Sequence, residues 1–96
     1  NGQQFTFHGY LPINENEIIK KINKLNTIPG SHIFIETPYR NSKLLEILVN
    51  RLPKNKRLCV ATDINGKNEK IITKEIHEMK DVELYIKKQP TIFIFE

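Results

Sequence analysis

The sequence has 96 residues, of which 39% are hydrophobic and 27% are charged, and this composition is that of one ordinary globular domain. Fifteen Lys and Arg against eleven Asp and Glu leave a formal net charge of +4, so the surface is moderately basic and permits nucleic acid without requiring it. No apolar stretch is long enough to span a bilayer and no basic-then-apolar signal pattern opens the chain, so we expect a cytoplasmic protein without membrane contact.

The single cysteine, Cys59, excludes an internal disulfide and fits a reducing compartment. Its position inside the apolar run LCVA favours a small buried hydrophobe over a reactive thiol. A chain of this length buries roughly 60 to 65% of the surface that its unfolded form exposes. The core is therefore adequate, and marginal unless a partner covers more of it.

The first predicted elements are a strand and a helix. FTFHGY alternates apolar with polar residues and ends at Gly9, which predicts a strand followed by a turn. The apolar residues of EIIKKINKL recur at helical spacing, and Asn14 followed three residues later by Glu17 resembles a capping box. We expect this helix to continue up to the turn at Pro29 and Gly30.

The middle of the chain repeats this order and then predicts a hairpin. SHIFIE is a second strand, SKLLEILVNRL is a second amphipathic helix that Pro53 ends, and KRLCVATDI is a third strand. Asn65 and Gly66 favour the two positive φ values of a type I′ turn. LCVATDI and EKIIT are therefore predicted to pair as an antiparallel hairpin.

The last third is predicted to hold a short helix and a buried strand. Thr73 can cap the helix TKEIHEM, DVELYI alternates like a strand although its flanks suggest a loop, and QPTIFIF is an apolar run typical of a strand buried on both faces. The pattern predicts an α/β domain with a mixed, mostly parallel sheet of about five strands and one hairpin, flanked by about three helices. No repeat or linker divides residues 1–96.

Three apolar strands end on a carboxylate, which is the main functional clue. Glu36 ends HIFIE, Asp63 ends LCVATD and Glu96 ends TIFIFE. If these strands are parallel, their polar ends share the sheet edge at which α/β proteins bind ligands, and IETPYR borders a cleft. The alternative stays open that the carboxylates cap helices or pair with neighbouring cations. Arg40 likewise could hold an anionic substrate or pair with Glu36.

Other chemistries lack the residues that they need. His8, His32 and His77 share no metal-ligand spacing, and one cysteine cannot build a zinc site, so no metal is predicted. The chain has no glycine-rich phosphate loop and no Ser-His-Asp arrangement that spacing would single out. A self-contained enzyme of this length is not expected.

The order FTFHGYLP, HIFIETPYR, LCVATDI and TIFIF resembles the C-terminal domain of the tetrapyrrole (corrin/porphyrin) methylase family over essentially the whole chain. It is most similar to the branch that 2′-O-methylates a cytidine of 16S ribosomal RNA, whose pattern reads Phe-x-Gly-Phe-Leu-Pro and then Phe-Tyr-Glu-Ser-Pro-His-Arg. The positions that coincide are Gly9, Leu11, Pro12, Phe34, Glu36, Pro38 and Arg40. After the third strand that branch continues with Arg-Glu-Leu-Thr-Lys, where this chain has ATDIN.

The resemblance implies the C-terminal half of a two-domain methyltransferase that uses S-adenosylmethionine and no metal, with the N-terminal domain absent from this sequence. The cofactor would lie between the domains, against the strand ends of this half. The implied cofactor-binding residues are Leu11, Pro12, Glu36, Thr37, Ala61, Thr62 and Asp63. Tyr10 and Arg40 would contact the substrate. The catalytic residue stays unassigned, with Glu36 and Asp63 as conceivable proton acceptors.

The methyl acceptor implied by the resemblance is a ribosomal RNA 2′-hydroxyl. Two alternatives stay open: a methylase of a tetrapyrrole or other small molecule, and a noncatalytic interaction or dimerisation domain. The expected partners are the missing N-terminal domain, ribosomal RNA and a second copy of the chain. Because half a cleft cannot align two reactants, these residues alone are expected to be inactive.

Overall fold

The computed structural model describes residues 4–79, 82, 86 and 89–96. The elements in chain order are β1 (Phe5–Gly9), α1 (Glu15–Leu25), β2 (Ser31–Glu36), α2 (Asn41–Arg51), β3 (Arg57–Thr62), β4 (Lys70–Glu75), a 3-10 turn (Ile76–Glu78) and β5 (Thr91–Phe95). Among the described residues, no helix has the length and apolar character needed to cross a membrane.

The strands form one sheet in the order β1-β2-β5-β3-β4. β1 is parallel to β2, whereas β5 is antiparallel to both of its neighbours and β4 is antiparallel to β3. β1, β2 and β3 therefore point the same way, as expected for right-handed crossovers through α1 and α2. The predicted α/β class, with a mixed five-stranded sheet and one hairpin, is confirmed.

The direction of β5 differs from the prediction. β3 lies two positions beyond β2, and β5 fills the gap from the opposite end, so that Thr91 pairs with Glu36 and with Thr62. The sheet thus has one parallel and three antiparallel pairs and is less parallel than expected. An apolar run such as TIFIF indicates that a strand is central in its sheet, but it does not indicate whether the strand is parallel or antiparallel to its neighbours.

Both α-helices pack on one face of the sheet, because both crossovers advance across the sheet in the same sense. α1 is capped as predicted, since the Asn14 side chain accepts a hydrogen bond of 3.1 Å from the N–H of Glu17. The core lies between these helices and the sheet, and its largest fully buried side chains are Phe34, Phe93 and Phe95. The opposite face of the sheet has no described helix on it.

The predicted hairpin is confirmed, but its turn is wider than a two-residue type I′ turn. β3 and β4 pair over six residues, which leaves residues 63–69 as the loop. Asp63 and Asn65 have φ of 48° and 65°, whereas Gly66 does not adopt a positive φ. The Asp63 carboxylate accepts a 2.9 Å hydrogen bond from the N–H of Asn68 and so closes this larger loop.

The short helix predicted from Thr73 is the 3-10 turn, and it begins three residues later than expected. Thr73 lies inside β4, and the turn is capped by Glu75, because the side chains of Glu75 and Glu78 each accept a hydrogen bond from the other residue's backbone. DVELYI lies mostly outside the described residues. Its described members, Val82 and Ile86, are buried in the core.

Candidate functional site

Tyr10, Glu36 and Asp63 meet at one edge of the sheet, as the sequence predicted. They line a cavity of about 290 Å³ at the C-terminal ends of β1, β2 and β3. The other residues that line it are Ile35 near the end of β2, Ile64 in the loop after β3, and Pro90, Thr91 and Ile92 at the start of β5. We call this cavity the rim pocket.

Glu96 does not belong to this edge, contrary to the expectation that the three carboxylates come together. Because β5 runs antiparallel to β2 and β3, its C-terminal end lies at the far side of the sheet. There the Ser31 hydroxyl donates a 3.0 Å hydrogen bond to the Glu96 carboxylate. The start of β5, with Thr91, takes the place in the rim pocket that was expected for Glu96.

The Glu36 carboxylate makes its contacts with neighbouring residues of the same chain. It is only 1% exposed, and its Oε1 accepts a 2.9 Å hydrogen bond from the N–H of Thr37. Its Oε2 lies 3.6 Å from Nη1 of Arg40 and has no hydrogen-bond partner among the described residues. The charge is thus balanced by Arg40 at ion-pair distance, without the geometry of a direct hydrogen bond.

Arg40 connects two segments of the edge. Its Nη2 donates a 2.9 Å hydrogen bond to the carbonyl oxygen of Pro12, in the loop that follows β1, while its Nη1 faces Glu36 at the end of β2. Of the two roles considered for Arg40, this geometry provides the structural ion pair. A direct contact with substrate stays a prediction.

Asp63 fixes the loop on the other side of the rim pocket. Its N–H donates a 3.1 Å hydrogen bond to the carbonyl oxygen of Pro90, and its carboxylate holds Asn68. The left-handed backbone of Asp63, with φ of 48°, allows both contacts at once. Asp63 therefore joins the loop after β3 to the start of β5, and both segments line the pocket.

The other predicted cofactor residues support the rim pocket without lining it. Leu11 is buried in the core, and Ala61 and Thr62 are buried within β3. The backbone carbonyl of Thr37 accepts hydrogen bonds at the start of α2, and Pro12 contributes its carbonyl to Arg40. These five positions lie near the strand ends but not on the surface of the cavity.

Asn41, at the first residue of α2, organises the site and was not predicted. It is 1% exposed, and its Nδ2 contacts the carbonyl oxygens of Ile86 and Gln89 at 2.6 and 2.7 Å and the hydroxyl of Thr91 at 3.1 Å. The segment before β5 is thereby tied to α2. The sequence contains no signal for this role, because an Asn at a helix start ordinarily indicates a local cap.

A larger depression, of about 740 Å³, lies at the opposite end of the sheet. It surrounds the loop between α1 and β2, residues 26–30, and also contacts Gln4, Lys56 and Glu96. None of the residues predicted to bind cofactor or substrate lines it. The rim pocket is therefore the better candidate, because it is where the strand ends bring polar groups together.

Two histidines, the half-buried His8 and the buried His32, form a connection between β1 and β2. His32 Nε2 lies 2.8 Å from the carbonyl oxygen of Ile28, and His32 Nδ1 lies 3.0 Å from Nε2 of His8. A carbonyl only accepts, so His32 Nε2 is the donor and, with both rings neutral, His32 Nδ1 accepts from His8. Burial, then the neighbouring His32 and Lys21, lower the pKa of His8.

One cluster of metal-ligating types occurs among the described residues. Potential ligand atoms of Glu75, His77 and Glu78 lie within 4.8 Å of one another. His77 Nε2 is 2.8 Å from Glu75 Oε1, and both carboxylates cap the 3-10 turn. These local contacts account for the cluster.

Comparisons with known proteins place the fold. No family model and no curated protein matches the chain. The methyltransferase CobJ superposes on 97% of the chain with a TM-score of 0.65 and 12% identity, and the cobalamin biosynthetic enzyme cobalt precorrin-4 methyltransferase, CbiF, on 96% with a TM-score of 0.60 and 16% identity. The chain has the fold found in these methyltransferases. It spans 41% and 40% of their respective lengths.

Proposed function

We propose that this chain forms one wall of the cofactor cleft of an S-adenosylmethionine-dependent methyltransferase whose acceptor is a tetrapyrrole or a related small molecule. The observation that carries the proposal is the rim pocket, which lies at the shared ends of β1, β2 and β3 in a fold common to two methyltransferases. This edge is also where the sequence resemblance places the cofactor. The second wall belongs to a part of the protein beyond these residues.

The rim pocket suits part of such a cofactor. Its volume of about 290 Å³ is at the lower limit of the roughly 300 to 1,000 Å³ of pockets that enclose whole small ligands. The ring of Tyr10 and the side chains of Ile64 and Ile92 offer the apolar surface that a flat purine needs. The Asp63 carboxylate at the same rim can accept hydrogen bonds from hydroxyl or amino groups.

The contribution of this chain is alignment and exclusion of water. When bound, S-adenosylmethionine would supply the methyl group of its sulfonium to the acceptor and leave as the neutral thioether. Arg40 and Asn41 hold the loops around the rim pocket in place before any ligand arrives, so binding does not have to order them. Because the Glu36 carboxylate is buried against Arg40, Asp63 is the more accessible acceptor for a proton from a hydroxyl.

The name of one structural neighbour supports the small-molecule acceptor, because CbiF is a cobalt precorrin-4 methyltransferase. Ribosomal RNA is the second candidate. It is favoured by the net charge of +4 and by the HIFIETPYR segment. The two acceptors differ enough in size and charge for one assay to separate them.

A pair of tyrosines tests the position of the cofactor. Tyr10 lines the rim pocket and is 62% exposed, whereas Tyr39 is 97% exposed and lies outside it. In calorimetric titrations of the intact protein with S-adenosylmethionine, Tyr10→Ala is expected to weaken binding about two- to tenfold, since an aromatic contact contributes about 0.5 to 1.5 kcal/mol. Tyr39→Ala is expected to bind like the wild type. Equal affinities in all three proteins would place the cofactor elsewhere.

The acceptor is tested with S-adenosylmethionine that carries a labelled methyl group. We expect the intact protein to label a corrinoid or porphyrinoid precursor and to leave unmethylated ribosomal RNA unlabelled. Labelling of the RNA alone would replace the small-molecule proposal by the second candidate. If the folded, intact protein does not bind S-adenosylmethionine at all, the chain is a noncatalytic interaction domain.

A further inference from the structure

The rim pocket has an acidic lining in a protein whose net charge is positive. The described residues that line it include two carboxylates, those of Glu36 and Asp63, and no Lys, Arg or His. The whole chain carries a formal net charge of +4, so this lining departs from the average of the surface. A cleft lined by charges of one sign attracts ligands of the opposite sign, and the rim pocket therefore favours a ligand that carries positive charge.

The carboxylate of Glu36 has one oxygen that no hydrogen bond uses. The side chain is 1% exposed, and its Oε2 is buried without a hydrogen-bond partner among the described residues. Arg40 Nη1 lies 3.6 Å from this oxygen, beyond hydrogen-bond length, and the same guanidinium donates to the carbonyl oxygen of Pro12. Buried carboxylate oxygens nearly always have a partner in folded proteins, so this oxygen is left to interact with a ligand.

Asp63 supplies the second negative charge of the lining. Its carboxylate accepts a hydrogen bond from the N–H of Asn68, and it makes no ion pair with a described residue. The lining beside it is apolar and includes Ile35, Ile64 and Ile92. Because apolar walls keep water away from part of the pocket, they reduce the screening between these carboxylates and a ligand charge.

We propose that the rim pocket selects for positive charge, and that it therefore binds S-adenosylmethionine in preference to the product that remains after methyl transfer. The inference rests on the proposed function. The methyl donor carries a positive sulfonium, whereas the product, S-adenosylhomocysteine, has a neutral thioether at the same atom. The two compounds differ only in this charge and in the methyl group, so a pocket that distinguishes them must respond to one of these two features.

This selection would matter for exchange of product for donor. Specificity is a difference between two affinities, and here the attraction to Glu36 and Asp63 is lost when the sulfur becomes neutral. The product is then bound less tightly than the donor that replaces it. This role does not require either carboxylate to accept a proton, so it is separate from any part that Asp63 has in deprotonating the acceptor.

Calorimetric titrations of the intact protein with S-adenosylmethionine and with S-adenosylhomocysteine, in the absence of an acceptor, test the proposal. Asp63→Asn removes the charge, keeps an oxygen that can accept from Asn68, and suits the φ of 48°. We expect it to weaken S-adenosylmethionine binding about three- to tenfold, as for two unit charges about 6 Å apart at a dielectric constant of about 40 to 80. The affinity for S-adenosylhomocysteine is expected to change less than about twofold.

Glu36→Gln is a second variant, and its effect on S-adenosylmethionine is expected to exceed that of Asp63→Asn, because it also leaves Arg40 without its counter-ion. The matched control is Glu69→Gln. Glu69 belongs to the same loop as Asp63, accepts a 2.8 Å hydrogen bond from the N–H of Asn65 and does not line the rim pocket. This control is expected to leave both affinities unchanged.

Sinefungin, which carries a protonated amine in place of the methylated sulfur, separates charge from the methyl group. Its affinity is expected to fall in Asp63→Asn as that of S-adenosylmethionine does. Equal losses for S-adenosylmethionine and S-adenosylhomocysteine would overturn the proposal, because Asp63 would then contact a group that both compounds share. A loss of the same size in Glu69→Gln would also overturn it, since the effect would then come from the net charge of the protein. If the wild type binds none of the three compounds, the proposed function itself fails.

Discussion

Gly30 shows how a single position can fix the path of the chain between α1 and β2. Its φ is +102°, and a Cβ at this position would lie 2.8 Å from the backbone carbonyl oxygen of Gln4. That carbonyl accepts a 2.7 Å hydrogen bond from the N–H of Ser31, so it cannot move away without loss. Gly30 therefore allows the start of β2 to approach the residue that precedes β1.

We expect Gly30→Ala to lower the free energy of unfolding by more than about 2 kcal/mol, because strained backbone and a backbone clash add. Gly9→Ala is the control, since Gly9 also has a positive φ of +69° but its nearest neighbour would be the Phe7 ring at 3.9 Å. Its cost is expected to be about 1 kcal/mol, from the backbone alone. Urea denaturation measures both, and equal costs would contradict the clash.

His8 makes stability depend on pH. Burial, followed by the charges of His32 and Lys21, holds the pKa of His8 below its ordinary value of 6.5. The unfolded chain therefore binds more protons than the folded one below about pH 6.5. The stabilising contribution is complete above this pH and is lost as the pH falls through the lowered pKa of the folded state.

Denaturation midpoints measured between about pH 7.5 and pH 5 check this expectation. The wild type is expected to lose stability towards acid, and His8→Gln is expected to show a weaker dependence. His77→Gln is the control, because His77 is exposed and contacts Glu75 instead of the buried pair. A slope that His8→Gln leaves unchanged would show that other groups cause the acid sensitivity.

The sequence could predict two of the three carboxylates at the rim, but not that Glu96 lies elsewhere, nor how Glu36 and Asp63 are used. Glu36 and Asp63 were expected there because each ends an apolar strand, and both line the rim pocket. Their contacts with Arg40 and Asn68 depend on side-chain positions that spacing does not encode. Spacing alone is therefore compatible with both roles of Arg40, the ion pair with Glu36 and a contact with an anionic substrate.

At the scale of elements, α2 holds the last strand in place through its first residue. Asn41→Ala is expected to lower the free energy of unfolding by about 1 to 3 kcal/mol, because it removes two buried hydrogen bonds and leaves the carbonyl of Ile86 with only the N–H of Gln89, and that of Gln89 with only the hydroxyl of Thr91. Asn50→Ala is the matched control, since Asn50 lies in the same helix and is exposed, and its effect is expected to stay within about 0.5 kcal/mol. Thermal or urea unfolding checks both variants.

A small effect of Asn41→Ala on stability would mean that the remaining donors, the N–H of Gln89 and the hydroxyl of Thr91, are sufficient to hold this segment. The rim pocket should then keep its shape, and S-adenosylmethionine affinity should be unchanged. A large loss of stability supports the view that α2 positions the segment before β5.

Most element positions could be predicted from the sequence, whereas the direction of β5 and the length of the turn between β3 and β4 could not. Hydrophobic period identified α2 to within one residue at each end, because burial of one helix face imposes that period, whereas α1 ends at Leu25, before the predicted turn at Pro29 and Gly30. The hairpin was also predicted, but Asn65 and Gly66 suggested a tight turn. The side chain of Asp63, which accepts from Asn68, selects the wider loop instead.

At the scale of the whole molecule, the site is assembled from strands that are distant in the sequence. Pro90 and Thr91 enter the rim pocket only because β5 runs antiparallel between β2 and β3. No local pattern marks them as site residues. The sequence predicted that β2, β3 and β5 are apolar. It did not predict that the second face of the sheet has no described helix on it, because that depends on both crossovers passing on the same side of the sheet.

The place of β5 also has a consequence for how the molecule is made. It is the last of the five strands to be synthesised, yet it occupies the middle of the sheet. Until residues 91–95 leave the ribosome, the β1–β2 pair and the β3–β4 hairpin have no hydrogen bonds joining them. Insertion of this strand closes the sheet through contacts between residues as far apart as His32 and Phe95, and such long-range closure is slow. The β1–β2 pair and the β3–β4 hairpin thus become one sheet only when β5 is inserted between them.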